Sequence, residues 1–228
     1  MQAPEVRRTR VTVDDAGAVS ALWMVPAQAR WCYVFAHGAG AGMEHPFMAD
    51  LATALAGRDV ATLRYQFPSM ERGSRRPDAP PLAHSTVRAA VAEARRQLPG
   101  AAHFAGGKSF GGRMTSQAQA LAPLEGIRGL AFVGFPLHPA GKPGVERAEH
   151  LRQVACPMLF LQGTRDALAD LALLQGVLAS IGSRATLEVV DDADHAFHVR
   201  AASGRRDRDV VLGLAEAMAA WFREHGGP

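Results

Sequence analysis

Cysteine is nearly missing from this sequence: 228 residues hold two, Cys32 and Cys156. That excludes a disulfide scaffold. No C-x-x-C, no H-E-x-x-H and no His/Cys cluster stands at metal-ligand spacing, so no metal site is expected. Both thiols lie beside apolar runs, where a buried free thiol is the expectation. Lysine is scarce too. Almost all of the 25 basic residues are arginine. They are scattered, with small clusters at Arg7-Arg8, Arg72 to Arg76 and Arg205 to Arg208, which read as solvated loops. The net charge is only +3, and no basic stripe interleaved with aromatics is present. Nucleic-acid binding is therefore not indicated. No stretch approaches the ~18 consecutive apolar residues of a membrane span. Met1 to Glu5 carry no apolar run of a signal peptide, so a cytoplasmic location is the expectation. Repeats, low-complexity tracts and interdomain linkers are absent as well.

What remains is an ordinary globular composition, 48% hydrophobic and 21% charged. A chain of this length suits a single α/β domain over residues 1–228, burying roughly 70% of its unfolded surface without staples. Val6 to Val13 and Ala18 to Val25 read as two strands around a turn at Asp14-Asp15-Ala16-Gly17. Trp31 to Ala36 is a continuous apolar run, the pattern of a strand covered on both faces. A glycine-rich loop, His37 to Gly42, follows it. A helix is predicted from about Pro46 to Gly57, with Phe47, Leu51 and Leu55 on one face. Then come a strand at Val60 to Tyr65, a loop at Phe67 to Pro81 and a helix through Val87, Val91, Ala94 and Leu98.

Ile127 to Gly134 and Pro157 to Gln162 are further strands, with an irregular segment between them. Leu171, Leu174, Leu178 and Ile181 mark a helix closed by Gly182. Thr186 to Val190 is a last strand, and Val211, Leu214, Met218 and Trp221 mark a closing helix. An opening hairpin followed by alternating strands and helices predicts a mostly parallel central sheet, with an antiparallel N-terminal hairpin and helices on both faces. Ligands bind such sheets at the carboxyl ends of the strands.

One segment stands out at such a strand end: Gly107-Lys108-Ser109-Phe110-Gly111. The apolar run Ala101 to Ala105 leads into it, and Gly112 to Ala118 has helical potential. Strand, G-x-S-x-G and helix suggest a nucleophile elbow. The turn is so sharp that the residues two before and two after the serine nearly touch, and glycine at both places removes the clashing Cβ atoms. The same residues also end a P-loop, G-x-x-x-x-G-K-[ST], but its first glycine falls on Ala102, and no strand ends in an acid placed for Mg²⁺. A nucleotide-binding protein is the lesser alternative.

A serine hydroxyl needs a base, and the base an orienting acid. Asp166 follows the strand Met158 to Leu161, and His195 follows the last strand. The order Ser109, Asp166, His195 is that expected of an elbow enzyme. Asp191, Asp192 and Asp194 read as solvated turn residues. The developing oxyanion calls for backbone N–H groups. Phe110 supplies one, and Ala39 the other, with Gly38 as the alternative to Ala39. His37 is either a second base or a brace for its loop. Lys108 points either to an anionic substrate or to solvent. Tyr65 and His138 are candidates to line the site, as are the loops Tyr65 to Arg76 and Phe135 to Pro143. Arg64, Arg72, Arg75 and Arg76 either receive a carboxylate or phosphate or face solvent.

Together these features resemble the α/β-hydrolase family over nearly the whole chain, and within it the small cap-less hydrolases related to dienelactone hydrolases. The stretches Leu63 to Pro68 and Phe135 to Pro143 look like its KANL3/Tex30-type branch. The resemblance implies a serine-hydrolase triad at Ser109, Asp166 and His195, a small-molecule acyl substrate and no cofactor. Two features depart from it: dienelactone hydrolases use cysteine where this chain has Ser109, and Lys108 is unusual before the nucleophile of an esterase. A noncatalytic interaction protein on the same fold is the alternative function, because that branch includes proteins known as parts of assemblies.

Overall fold

The structure is a computed structural model that describes residues 5–14 and 16–227. The predicted turn at 14–17 includes Asp15, and the leader reading of Met1 to Glu5 includes residues 1–4; Asp15 and residues 1–4 lie outside the described residues.

Eight strands form one sheet in the order β1-β2-β4-β3-β5-β6-β7-β8. They are β1 (Val6–Val13), β2 (Gly17–Met24), β3 (Trp31–Ala36), β4 (Val60–Tyr65), β5 (Ala102–Lys108), β6 (Ile127–Val133), β7 (Met158–Gly163) and β8 (Ala185–Val190). β1 pairs antiparallel with β2, and β2 antiparallel with β4. All other pairs are parallel. The helices are α1 (Pro46–Ala56), α2 (Pro68–Glu71), α3 (Pro80–Gln97), α4 (Phe110–Leu121), α5 (Leu171–Ile181) and α6 (Asp207–His225).

Strand periodicity divides the core in two. In β3, Trp31, Tyr33 and Phe35 face the cluster that holds Met48 and Leu51 of α1 and Val210 to Phe222 of α6. Cys32, Val34 and Ala36 face the opposite cluster, with Val87 of α3, Met114 of α4 and Leu174 of α5. Alternate residues of one strand point to opposite faces, so a strand covered on both sides must be apolar throughout. Helices therefore flank both faces of the sheet. The segment joining β6 to β7 is short, and among the described residues no large cap covers the carboxyl edge. No described helix is long and apolar enough to cross a membrane. Cys32 and Cys156 are both free thiols, Cys32 buried and Cys156 half-buried.

Two stretches expected to be irregular carry helix. Within Phe67 to Pro81, α2 begins at Pro68 and α3 already at Pro80. In both cases proline follows an extended residue, Phe67 or Ala79, and its fixed φ suits the first helical position. Between β6 and β7, Glu146–Gln153 forms a 3₁₀ helix.

Candidate active site

β5 runs on to Lys108, and α4 starts at Phe110, so the whole change of direction falls on Ser109. Its backbone sits at φ 51°, ψ −117°, strained for a residue with a Cβ. The turn closes against β3. A Cβ on Gly107 would lie 2.5 Å from the Ala36 carbonyl oxygen and 2.8 Å from the Gly111 carbonyl carbon. One on Gly111 would lie 2.6 Å from the carbonyl oxygens of both Ala36 and His37. Both glycines are thus required by close approach.

The long-range partners converge on this serine. His195 Nε2 is 2.9 Å from Ser109 Oγ. His195 Nδ1 is 2.7 Å from Asp166 Oδ2. A carboxylate only accepts, so Nδ1 carries the proton and Nε2 presents its lone pair to the hydroxyl. Asp166 is buried. Its charge is held by Gln162 Nε2, which donates to Oδ2 at 2.5 Å, and by the Leu168 N–H, which donates to Oδ1 at 2.8 Å. Gln162 is itself fixed, because its Oε1 accepts the Phe135 N–H at 3.0 Å.

Phe110 is the first residue of α4, where N–H groups lack intrahelical acceptors. Ala39 lines the same cavity as Ser109. Neither of these N–H groups is used in the hydrogen bonds of the described residues. The cavity is open and about 600 Å³, with Phe47 and Met48 of α1, Ala41, Ala167 and Leu168 on its apolar walls. Besides His195, Arg165, Lys108 and His45 are its basic members.

Several expected lining residues stand elsewhere. His37 is buried, and its Nδ1 lies 2.7 Å from the Gly38 carbonyl oxygen while its Nε2 accepts the Phe67 N–H at 3.1 Å. Burial lowers its pKa. Both nitrogens are committed, so it braces the glycine-rich loop and is no second base. Tyr65 is wholly buried among core residues, and burial pushes its hydroxyl pKa up. His138 is buried as well; its Nε2 accepts the Asp170 N–H at 2.8 Å and its Nδ1 meets the Pro139 carbonyl at 2.9 Å. It ties two loops together away from the cavity wall. Tyr65 and His138 therefore stand in core and bracing positions rather than on the cavity wall, and of the two readings of His37 the brace holds. The loops Tyr65 to Arg76 and Phe135 to Pro143 supply none of the cavity's lining residues. Arg64 is buried, with its guanidinium on the Met43 carbonyl, and Arg72 pairs with Asp78.

Asp192 and Asp194 also differ from solvated turn residues. Asp192 is buried, accepts the Arg200 N–H and pairs with the Arg200 guanidinium, whose hydrogen bond lowers its pKa. Asp194 Oδ1 accepts the N–H groups of Ala196 and His198 and so shapes the loop that bears His195. Lys108 is turned across the cavity: its Nζ donates to the His195 carbonyl oxygen at 2.5 Å. It is engaged by the neighbouring loop, unlike a P-loop lysine reaching for phosphate.

Gln162, Phe47 and Arg165 went unassigned in the sequence. Gln162 left a trace there, as a lone amide closing an otherwise apolar strand. Phe47 and Arg165 left none, because only the packing of α1 and of the 165–168 segment brings them to Ser109.

Residues 29–223 match the family described as "Alpha/beta hydrolase domain". Among solved structures, the chain is similar to dienelactone hydrolase from Anabaena variabilis, with 20% identity and a TM-score of 0.78 over 99% of this chain and 100% of that one. It is also similar to an α/β serine hydrolase without lid from Xanthomonas campestris, with 21% identity and a TM-score of 0.75 over 97% of each chain. A third similarity is to an α/β serine hydrolase homologue from Coxiella burnetii, with 19% identity and a TM-score of 0.72 over 94% and 98%. At these identities the structural likeness speaks for the fold. The extent of the family match decides the assignment: the chain belongs to the α/β-hydrolase domain family.

Proposed function

We propose that this protein is a serine hydrolase that cleaves a small ester, thioester or lactone through an acyl-enzyme on Ser109. The observation that carries the reading is the continuous chain Ser109 Oγ, His195, Asp166, at 2.9 and 2.7 Å, set beside an open apolar cavity. Ser109 Oγ attacks the acyl carbon while its proton passes to His195 Nε2. Asp166 holds the Nδ1–H tautomer and stabilises the imidazolium. The Phe110 and Ala39 N–H groups face the oxyanion. Collapse breaks the acyl bond, and the imidazolium returns the proton to the departing alcohol or thiol. Water then attacks the acyl-enzyme with His195 as base, and Ser109 recovers its proton. No cofactor enters these steps. The walls formed by Phe47, Met48 and Leu168 suit a small apolar acyl or leaving group.

Within the family we place the chain near the dienelactone-hydrolase-like proteins and in the KANL3/Tex30-type branch, on the stretches Leu63 to Pro68 and Phe135 to Pro143. The test is intact-mass labelling with a small fluorophosphonate. One adduct on the wild type, absent from Ser109→Ala, is expected, with ester turnover falling by roughly 10³-fold or more in the variant. A well-folded wild type that takes no label would overturn the reading in favour of a noncatalytic interaction protein.

A further inference from the structure

Lys108 is not needed for the proton relay, yet it is built into the site. It is the last residue of β5 and directly precedes Ser109. Its stem rises beside Gly38, and its Nζ would lie 3.0 Å from a Cβ placed on Gly134 at the end of β6. The ammonium donates to the His195 carbonyl oxygen at 2.5 Å and stands 5.4 Å from the centre of the Phe197 ring. The loop it reaches is under strain. Phe197 sits at φ 65°, a left-handed conformation unfavourable for an aromatic residue and kept only where surroundings enforce it. The base of this loop is tied by its own bonds, Asp194 N–H to the His198 carbonyl and Phe197 N–H to the Asp194 carbonyl. Among the described residues, the hydrogen bonds from its tip at His195 and Ala196 to the rest of the protein are those of the imidazole and of Lys108.

We infer that Lys108 is a positioning residue, whose ammonium clamps the tip of the loop after β8 to the elbow strand and so holds the His195 ring in line between Asp166 and Ser109. One fixed group thereby joins the strand that presents the nucleophile to the loop that presents the base. The charged groups facing it are Asp166 from the loop after β7 and Asp194 from the loop after β8. Burial lowers its pKa to about 8, against the pull of those two carboxylates. Above that pH the neutral amine remains a donor, but a weaker one, because charge-assisted hydrogen bonds are the stronger kind.

The catalytic consequence rests on the proposed hydrolase reading; the clamp itself does not. Hydrogen–deuterium exchange in the Ser109→Ala protein, with and without Lys108→Met, tests the clamp alone. Exchange at residues 195–198 is expected to quicken about tenfold while β5 and β6 hold their protection; unchanged exchange would overturn the clamp. Hydrolysis of p-nitrophenyl acetate tests its use. Lys108→Met is expected to lower kcat about tenfold with KM nearly unchanged, and Lys108→Arg to recover part of the loss. The wild-type rate is expected to fall several-fold above pH ~8, a limb missing from Lys108→Met. A Lys108→Met enzyme with full kcat, or with the limb intact, would overturn the positioning role. Failure of the fluorophosphonate to label wild type sinks the hydrolase reading, and the exchange experiment still decides the clamp. Should Lys108→Met not fold, Lys108→Gln takes its place in both measurements.

Discussion

Gln162 Nε2 donates to the same Asp166 oxygen, Oδ2, that faces His195 Nδ1, at 2.5 and 2.7 Å. Asp166 thus has two partners on one oxygen and the Leu168 N–H on the other. The buried carboxylate is oriented by fixed donors on both oxygens, as an acid that steers an imidazole must be.

Gln162→Leu is expected to strip one donor from this buried charge and to leave the Phe135 N–H without its acceptor. Unfolding free energy should fall by about 1–3 kcal/mol, the range for unsatisfied buried groups. Ester turnover should fall several-fold further than KM changes. Chemical denaturation and steady-state kinetics on the same preparation would separate the two effects; an unchanged variant would show that Asp166 is held adequately by Leu168.

At the elbow, Gly111→Ala is expected to lose about 2–3 kcal/mol of stability, since its Cβ must push against two backbone carbonyls. Those carbonyls belong to Ala36 and His37, at the root of the loop that carries Ala39, so activity should fall with stability. Gly213→Ala is the control. Gly213 lies in α6 with nothing within 4 Å of its Cβ position, and alanine there should add roughly 0.5–1 kcal/mol. Thermal melts of the two variants should move in opposite directions.

His150 sets an acid limit on stability away from the active site. It packs against α4, with its Nε2 2.7 Å from Ser116 Oγ. Burial, helped by Arg113 and His84, lowers its pKa to about 4. An unfolded histidine takes its proton near pH ~6.5. Between about 6.5 and 4 the unfolded chain therefore binds more protons, and stability falls as pH falls. Urea unfolding at pH 7 and pH 4.5 should show a loss roughly 2 kcal/mol larger in wild type than in His150→Gln. Equal losses would place the acid sensitivity on other groups.

The fold was legible because its signals are local. The strand Trp31 to Ala36 is apolar on both faces, which only a sheet covered on both sides requires. Glycines at 107 and 111 flank the serine at the two places where a Cβ would clash with the turning chain. The hidden helices were those with weak periodicity: α2 is a single turn, and the Glu146–Gln153 helix buries only Ala148 and Leu151. Ser109, Asp166 and His195 could be picked out because each follows a readable strand. Their support could not: Gln162 shows only as a lone amide in an apolar strand, and Lys108 reaches a carbonyl 87 residues away in sequence.

By itself, then, the amino-acid sequence determined the order of the strands and of the strongly periodic helices, the sharp turn at Ser109 and the loops that would meet it. These follow from periodicity and from glycine geometry, which any short window of residues carries. Only the tertiary structure decided what fills the space around the serine. It sent Tyr65, His37 and His138 into the core or into bracing roles, brought Phe47 and Arg165 to the cavity, and turned Lys108 onto the His195 carbonyl. Side-chain direction at a strand end depends on what packs against it, and that packing comes from distant segments of the chain.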